Sequence, residues 1–509
     1  MKKLVALLLA LMLVLGCASA LADDDGSEFV TLNWYTKGTK PTDYDAVMAE
    51  VNAYLKEKIN AEVNINFIGW GDEWDTFVST SVASNEGDVD IMFTADWDNM
   101  NTHISNGYLI PLNGDPDYGN LLDDYGAVIK DSIAPGFLSG NQRNGVLYGI
   151  ACNKEIAADY GFLFDSDLVE KYGLYDALKE VETIALNDGV VAGLNALTPI
   201  METVYQGEKD NDALIAIFGC DQTGLEGFLA EFIYLAGDTY SFAAQTYDNS
   251  DPTVINPYAT DLMKDIIKIT QEWYQAGYIA KDADQHSDFG AEFQTGCYFA
   301  VTQSMKPGKG AEFTVNGKAS MEVRFTHPVI RTKDVGGSML AIVEGSQHPE
   351  RAMQFIALLE SDSYLLNTII FGIEGVHYNF VDEAKTRIEQ TDAGKNNYNR
   401  KGDAWMFGNQ LMNYTTTEEA EDKWEQFANF NASGTEVQSL GFNYDPTEKS
   451  ATLTNVNEVK KQYNLLTCGI MEGDVEENLA AMNQAMIDAG LNEVLDDVQK
   501  QFDAWKAGN

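Results

Sequence analysis

Residues 88–113, DVDIMFTADWDNMNTHISNGYLIPLN, decide how the rest of the chain is read. Val89 to Phe93 is an apolar run too short for a helix, so it reads as a buried strand. It stops at Thr94-Ala95-Asp96-Trp97, which puts a carboxylate beside an indole where a strand gives way to a polar helix over Asp98 to Ser105. Asn106-Gly107 ends that helix, and Tyr108 to Leu112 turns back toward the sheet. Ligands of open α/β sheets collect outside the carboxyl ends of the strands, so this loop is a natural site. A flat indole face with a carboxylate acceptor suits a polyol such as a sugar. The competing reading leaves Asp96 as a helix cap and Trp97 packed on a neighbouring loop.

The same unit occurs twice before it. Phe29 to Tyr35 alternates as a strand, and Pro41 to Lys58 carries Val47, Val51 and Leu55 at helical spacing. Glu62 to Ile68 is a second strand, followed by Gly69-Trp70-Gly71 and another helix. Three strand, loop, helix units in a row predict a parallel sheet in an α/β lobe. Each strand ends on aromatics: Trp34 and Tyr35, Trp70, then Trp97. Recurrence at one topological place favours a site over three separate packing roles.

Outward from this lobe, Met1 to Ala22 has two lysines, an apolar run and a small-residue end, the layout of an export signal. Ala20-Leu21-Ala22 fits cleavage before Asp23, whereas Val14-Leu15-Gly16-Cys17 fits a lipoprotein box with Cys17 lipidated; both stay open. An uncleaved anchor is the third reading, against which the apolar core is short for a span. The other cysteines, Cys152, Cys220, Cys297 and Cys468, form no CxxC pair; two disulfides fit them, and buried free thiols fit more simply.

With 33 Lys+Arg against 79 Asp+Glu the formal net charge is −46, a field that repels nucleic acid and anionic lipid and favours a monomer. Length 509 implies more than one core. Gly-bounded strands over 144–153, 292–301 and 336–343 look like crossings between lobes, and Pro257 to Gly277 is an amphipathic helix. Asp282, Asp284 and Asp288 cluster without the glycine of a calcium loop, so they read as a solvated loop, and no cofactor or metal is expected.

In order along the chain, FIGWGD (67–72), DIMFT (90–94), GYLIPL (107–112), GVLYGI (145–150), WYQAGYI (273–279), HPERAM (348–353), GIEGVHY (372–378) and the C-terminal AGLNEVLDDVQKQFDAW resemble the extracellular solute-binding proteins of carbohydrate ABC importers. The likeness is to their large, often lipid-anchored branch of Gram-positive bacteria. The resemblance implies a two-lobe periplasmic-binding-protein (Venus-flytrap) α/β fold with multiple hinge crossings. It implies no catalysis, a carbohydrate ligand held between the lobes, and delivery to the transmembrane permease subunits. On that basis residues 1–22 form the signal peptide, 28–150 the first lobe, 151–294 the second, 295–340 a return to the first, and 341–509 the completion of the second with a C-terminal extension.

The expected ligand contacts are Trp34, Tyr35, Trp70, Asp96 and Trp97 from the first lobe, and Tyr148 and Asn153 near the hinge. Trp405 and Asn409 close from the other side, although Trp405 in AWMFGNQ also fits a core. Glu374, His377 and Tyr378 read first as a hinge-turn network and second as ligand contacts. The rival class is a secreted glycoside hydrolase, since carboxylates and tryptophans in a cleft serve that chemistry too. Neither HExxH, GxSxG nor a phosphate-binding loop is present. An adhesive surface protein is disfavoured because no repeats occur.

Overall fold

In VTLNWYTK, Val30, Leu32 and Trp34 share one face and are fully or almost fully buried, while Thr31, Asn33 and Tyr35 point the other way and keep some exposure. A period-two pattern of this kind makes a strand with one face on a core. The protein is described by a computed structural model covering residues 28–508, apart from 85–87, 134, 144 and 287–288. The expected export signal over residues 1–22 with Cys17, and Asp288 of the acidic loop, lie outside the described residues.

The strands that organise the chain are β1 (Val30–Lys37), β2 (Ala61–Ile68), β3 (Ile91–Thr94), β4 (Ile150–Ala151), β5 (Asp159–Phe164), β6 (Ala216–Gly219), β7 (Tyr298–Met305), β8 (Met321–Arg324), β9 (Val329–Ile330), β10 (Met339–Ile342) and β11 (Thr435–Glu436). The first sheet runs β2-β1-β3-β10-β4. As the three strand, loop, helix units predict, β1 pairs in parallel with β2 and β3; β10 returns antiparallel between β3 and β4. The second sheet runs β8-β5-β7-β6, with β7 parallel to β6 and antiparallel to β5.

Each sheet has its own core, so the chain is a two-lobe α/β protein. The first core takes residues up to Ala157, resumes at Ile330 and continues through Phe430. It includes the helices Tyr44–Ile59, Pro349–Ser361 and Ser363–Phe371. The second core takes Phe162 to Val329 and then Val437 to Phe502, including the helices Val190–Glu208, Asp261–Ala276 and Leu491–Gly508.

Three segments therefore pass between lobes, and they meet side by side. Ala158 exchanges backbone hydrogen bonds with Val329 at 2.9 and 3.0 Å, and β9 pairs in parallel with β11. Gly434 lies so close to Ala157 and Ile330 that an added Cβ would sit 2.8 Å from the alanine methyl.

This corrects the expected limits. None of the three expected runs is a crossing: 144–153 and 336–343 supply β4 and β10 to the first sheet, and 292–301 leads into β7 in the interior of the second; residues 151–157 and 330–430 belong to the first lobe, and 295–329 to the second. Besides helices, the region 183–236 contributes β6 and the strand Phe232–Tyr234. All four described cysteines are buried and free.

Candidate ligand-binding site

Two turns at the carboxyl end of the first sheet present indoles to solvent. After β2 the chain passes Gly69-Trp70-Gly71 into the helix Asp72–Phe77, and Gly71 takes φ +69°, a left-handed value that a side chain rarely adopts. The sharp reversal leaves Trp70 50% exposed. After β3, a 3-10 turn over Asp96–Asp98 is followed by Asn99 at φ 62° and the short helix Met100–Ser105. Asparagine tolerates this conformation, and Trp97 is left 53% exposed.

The third indole is Trp405, in the 3-10 helix Lys401–Met406, whose carbonyl accepts from the Ser338 hydroxyl at 2.8 Å. Ring centroids of Trp70 and Trp97 lie 6.4 Å apart and nearly parallel, at 14°. Trp405 lies 6.3 Å from Trp70 and 6.4 Å from Trp97. Phe93 forms the floor, 5.8 Å from both Trp97 and Trp405. Trp405 thus packs with the first-lobe indoles; it does not approach from the opposite lobe.

Beneath this platform is a buried cation. Lys37, at the end of β1, is 4% exposed and reaches the Asp98 carboxylate at 2.6 Å. Its ammonium lies over the rings of Trp97 (4.8 Å), Trp70 (5.1 Å), Trp74 (5.2 Å) and Phe93 (5.6 Å). Burial raises the pKa of Asp98 while Lys37 opposes the rise, and burial drives His103 nearby down to about 4.

Asp96, expected as a hydroxyl acceptor, is engaged in an ion pair with Arg143, whose Nε also donates to Asn101 at 2.8 Å. Burial pushes Asp96 up to about 6 against the pull of Arg143. Its backbone N–H donates to the Gly336 carbonyl at 2.9 Å, and the Trp97 indole N–H donates to Gly337 at 2.8 Å. A Cβ at Gly336 would fall 2.1 Å from an Asp96 oxygen, so any side chain there would have to displace the Asp96 carboxylate.

Gly336 and Gly337 follow the turn Thr332–Val335, which continues the β9 crossing. Arg331 on that crossing grips Asp334 at 2.7 and 2.9 Å and donates to Tyr160 at 2.8 Å and Tyr247 at 3.4 Å, both in the second lobe. The loop that carries Trp97 is therefore hydrogen-bonded to a segment that itself reaches into the other lobe.

A second charged cluster joins the lobes beside it. Glu155 on the first crossing meets Lys154 at 3.0 Å and Lys306, from the end of β7, at 3.5 Å. Burial pushes Glu155 up, but the two lysines outweigh it and keep the carboxyl at about 2.

The other expected contacts are placed differently. Trp34 is fully buried, packed edge-on against Phe355 and Phe407 at 5.7 and 5.1 Å, because it is in phase with Val30 and Leu32. Tyr35 stacks on Phe77 at 4.6 Å, and Tyr148 packs partly buried on the first core. Asn153 is buried, with its side-chain amide donating to the Ser132 carbonyl at 2.9 Å and its backbone carbonyl accepting from the Gln410 backbone N–H at 2.8 Å. Asn409 is buried too and caps the turn Gln410–Met412. His377 accepts from the Ile373 N–H at 3.0 Å and faces Asp43 at 3.3 Å, a turn network as expected, but one inside the first lobe and away from the crossings, so it is not a hinge.

Lys37, Arg143 and Arg331 were not singled out beforehand; a lysine ending an apolar strand in TLNWYTK is the one local signal of the three. A cavity of about 650 Å³ between Ser166 and Glu322 lies wholly in the second lobe and touches none of the platform residues.

Two α/β lobes joined by three adjoining segments, with exposed indoles at the carboxyl ends of the strands, define a receptor of the solute-binding class. The chain belongs to the bacterial extracellular solute-binding protein family, whose profile matches residues 38–364; a domain of unknown function, DUF3502, matches 438–507 in the second lobe. A relative described as a carbohydrate ABC transporter substrate-binding protein, from Streptococcus pneumoniae serotype 4, is 23% identical over 493 residues, covering 95% of this chain and 92% of its own. Among solved structures, the N-glycan transport solute binding protein NgtS of Streptococcus pneumoniae superposes with a TM-score of 0.79 at 21% identity, covering 94% of this chain and 99% of that one. The same protein in complex with Man5GlcNAc gives a TM-score of 0.69 at 22% identity, with 95% and 99% covered.

Proposed function

We propose that this protein is the substrate-binding component of an ABC importer for a sugar or oligosaccharide, and that the ligand stacks on Trp70, Trp97 and Trp405. The observation that carries the reading is the cluster of three indoles, two of them half exposed, at the carboxyl end of the first sheet. Sugars present apolar C–H faces that stack on indole, and a rim of hydroxyls whose neglect in a closed cleft costs about 1–3 kcal/mol each. The relative described as a carbohydrate transporter component and the glycan-bound NgtS structures support the ligand class.

Binding without turnover fits better than hydrolysis. The two acids of the platform loop, Asp96 and Asp98, are each held by a cation, so neither is free to act as half of a hydrolytic pair. The N-terminal signal implies export, with Cys17 as the lipid attachment point if the lipoprotein reading holds. The partner is then the membrane permease, and the receptor works as a monomer. Closure requires a ligand that touches both lobes, since only differential affinity for the closed state drives it.

The test is calorimetry of residues 23–509 with neutral saccharides, Man1GlcNAc among them, followed by analysis of each mixture for products. One saccharide class bound and recovered intact supports transport. Cleavage supports the hydrolase, and silence across the panel removes the carbohydrate ligand.

A further inference from the structure

We infer that Lys37 is a specificity-determining residue of the platform: its buried ammonium fills the cation-binding capacity of Trp70 and Trp97 from below and so excludes organic cations from the face above. Clusters of tryptophan faces are general traps for quaternary ammonium groups, because each ring face is electron-rich. A protein of net charge −46 also concentrates cations near its surface. Three indoles within 6.4 Å of one another on such a protein would, on those two grounds alone, collect choline-like solutes.

Lys37 changes that balance. Its Nζ lies within 5.6 Å of four ring centroids, two of them the exposed Trp70 and Trp97. A second cation on those rings would meet a like charge across one layer of indole, where little water screens it. The pair with Asp98 does not neutralise this, because the carboxylate contacts the ammonium directly while the ammonium is what faces the rings. A buried ion pair is a poor device for stability, since its desolvation offsets its attraction. Its placement directly under the ligand face calls for a different role. A neutral polyol presents no charge to repel and still stacks.

This inference rests on the platform being the ligand face. The experiment titrates choline and Man1GlcNAc into the full chain and into Lys37→Met/Asp98→Asn, which removes both charges together; Lys37→Gln/Asp98→Asn, which keeps a hydrogen-bonding pair, replaces it where the first does not fold. Wild type should show no choline binding at millimolar concentration. The double variant should gain at least about tenfold in choline affinity, an estimate from the usual strength of such cation–aromatic contacts. Adding Trp97→Ala should abolish the gain.

Choline binding by wild type, no gain in either double variant, or a gain that survives Trp97→Ala would each overturn the inference. If wild type binds no saccharide but the variant gains choline through Trp97, the exclusion stands and only the carbohydrate reading falls.

Discussion

Trp34 and Trp97 are the same side chain on neighbouring strand units of the first sheet, but Trp34 lies inside β1, paired with Ile91, while Trp97 lies in the turn beyond β3, and burial separates them. Trp34 packs in the first core, so Trp34→Ala should lower stability by about 3–5 kcal/mol through lost transfer energy and a cavity. Trp97 is 53% exposed, and Trp97→Ala should leave the melt almost unchanged while weakening saccharide binding at least tenfold, roughly the contribution of one stacked ring. Denaturation and calorimetry on the two variants check this crossed pattern; equal losses of both properties would refute it. The parity of β1 makes the distinction legible, because Trp34 follows Val30 and Leu32 at intervals of two. Asn153 and Asn409 were not separable that way, since an amide beside a hinge looks the same whether its partner is a ligand or a carbonyl. At Asp159, burial pushes the carboxyl up to about 7, Arg324 at 3.2 Å opposes, and Glu322 and Glu182 add to the rise. A pKa raised on folding means stability present below the unfolded value near 4 and lost as pH rises through 7. Asp159→Asn should therefore melt like wild type near pH 4 and higher than wild type at pH 8, read as the difference between two melting curves.

Elements show where local patterns stop being informative. The first three strand, loop, helix units were readable because each joins a short apolar run to a helical spacing within thirty-odd residues. Lobe membership was not readable: β7 and β10 are both apolar, Gly-bounded runs, yet one lies in the second sheet and the other in the first. Only the pairing of distant strands decides, and no local spacing encodes it. The crossings matter because one of them carries Arg331, which binds Asp334 next to Gly336 and Gly337 and also reaches Tyr160 and Tyr247 of the other lobe. Lysine keeps the charge but lacks the planar fork needed to meet Asp334 and the tyrosines together. Arg331→Lys should leave the indole platform intact, yet reduce saccharide affinity about three- to tenfold by shifting the balance between lobe arrangements. Small-angle scattering with and without ligand would show a smaller compaction in the variant. Unchanged affinity and compaction would mean that the crossing does not transmit the platform's state.

Across the whole molecule, charge and site chemistry point in different directions. The chain carries −46 overall, while the indole platform sits over the Lys37–Asp98 pair and beside the Asp96–Arg143 pair, which add no net charge at long range although the Lys37 ammonium faces the rings at close quarters. A ligand recognised by stacking and hydroxyl hydrogen bonds feels almost none of the long-range field. A charged ligand feels it strongly at low ionic strength, because the screening length falls from about 30 Å at 0.01 M salt to about 3 Å at 1 M. Affinity for a neutral saccharide should thus vary less than about twofold between those salt concentrations. An acidic glycan would bind more tightly as salt rises, since screening removes its repulsion, and an organic cation more weakly. Titrating the saccharide that emerges from the calorimetric panel at both ionic strengths separates the three cases. A flat response assigns the platform to neutral sugars, and a slope of either sign would show that the field, not the indoles, chooses the solute.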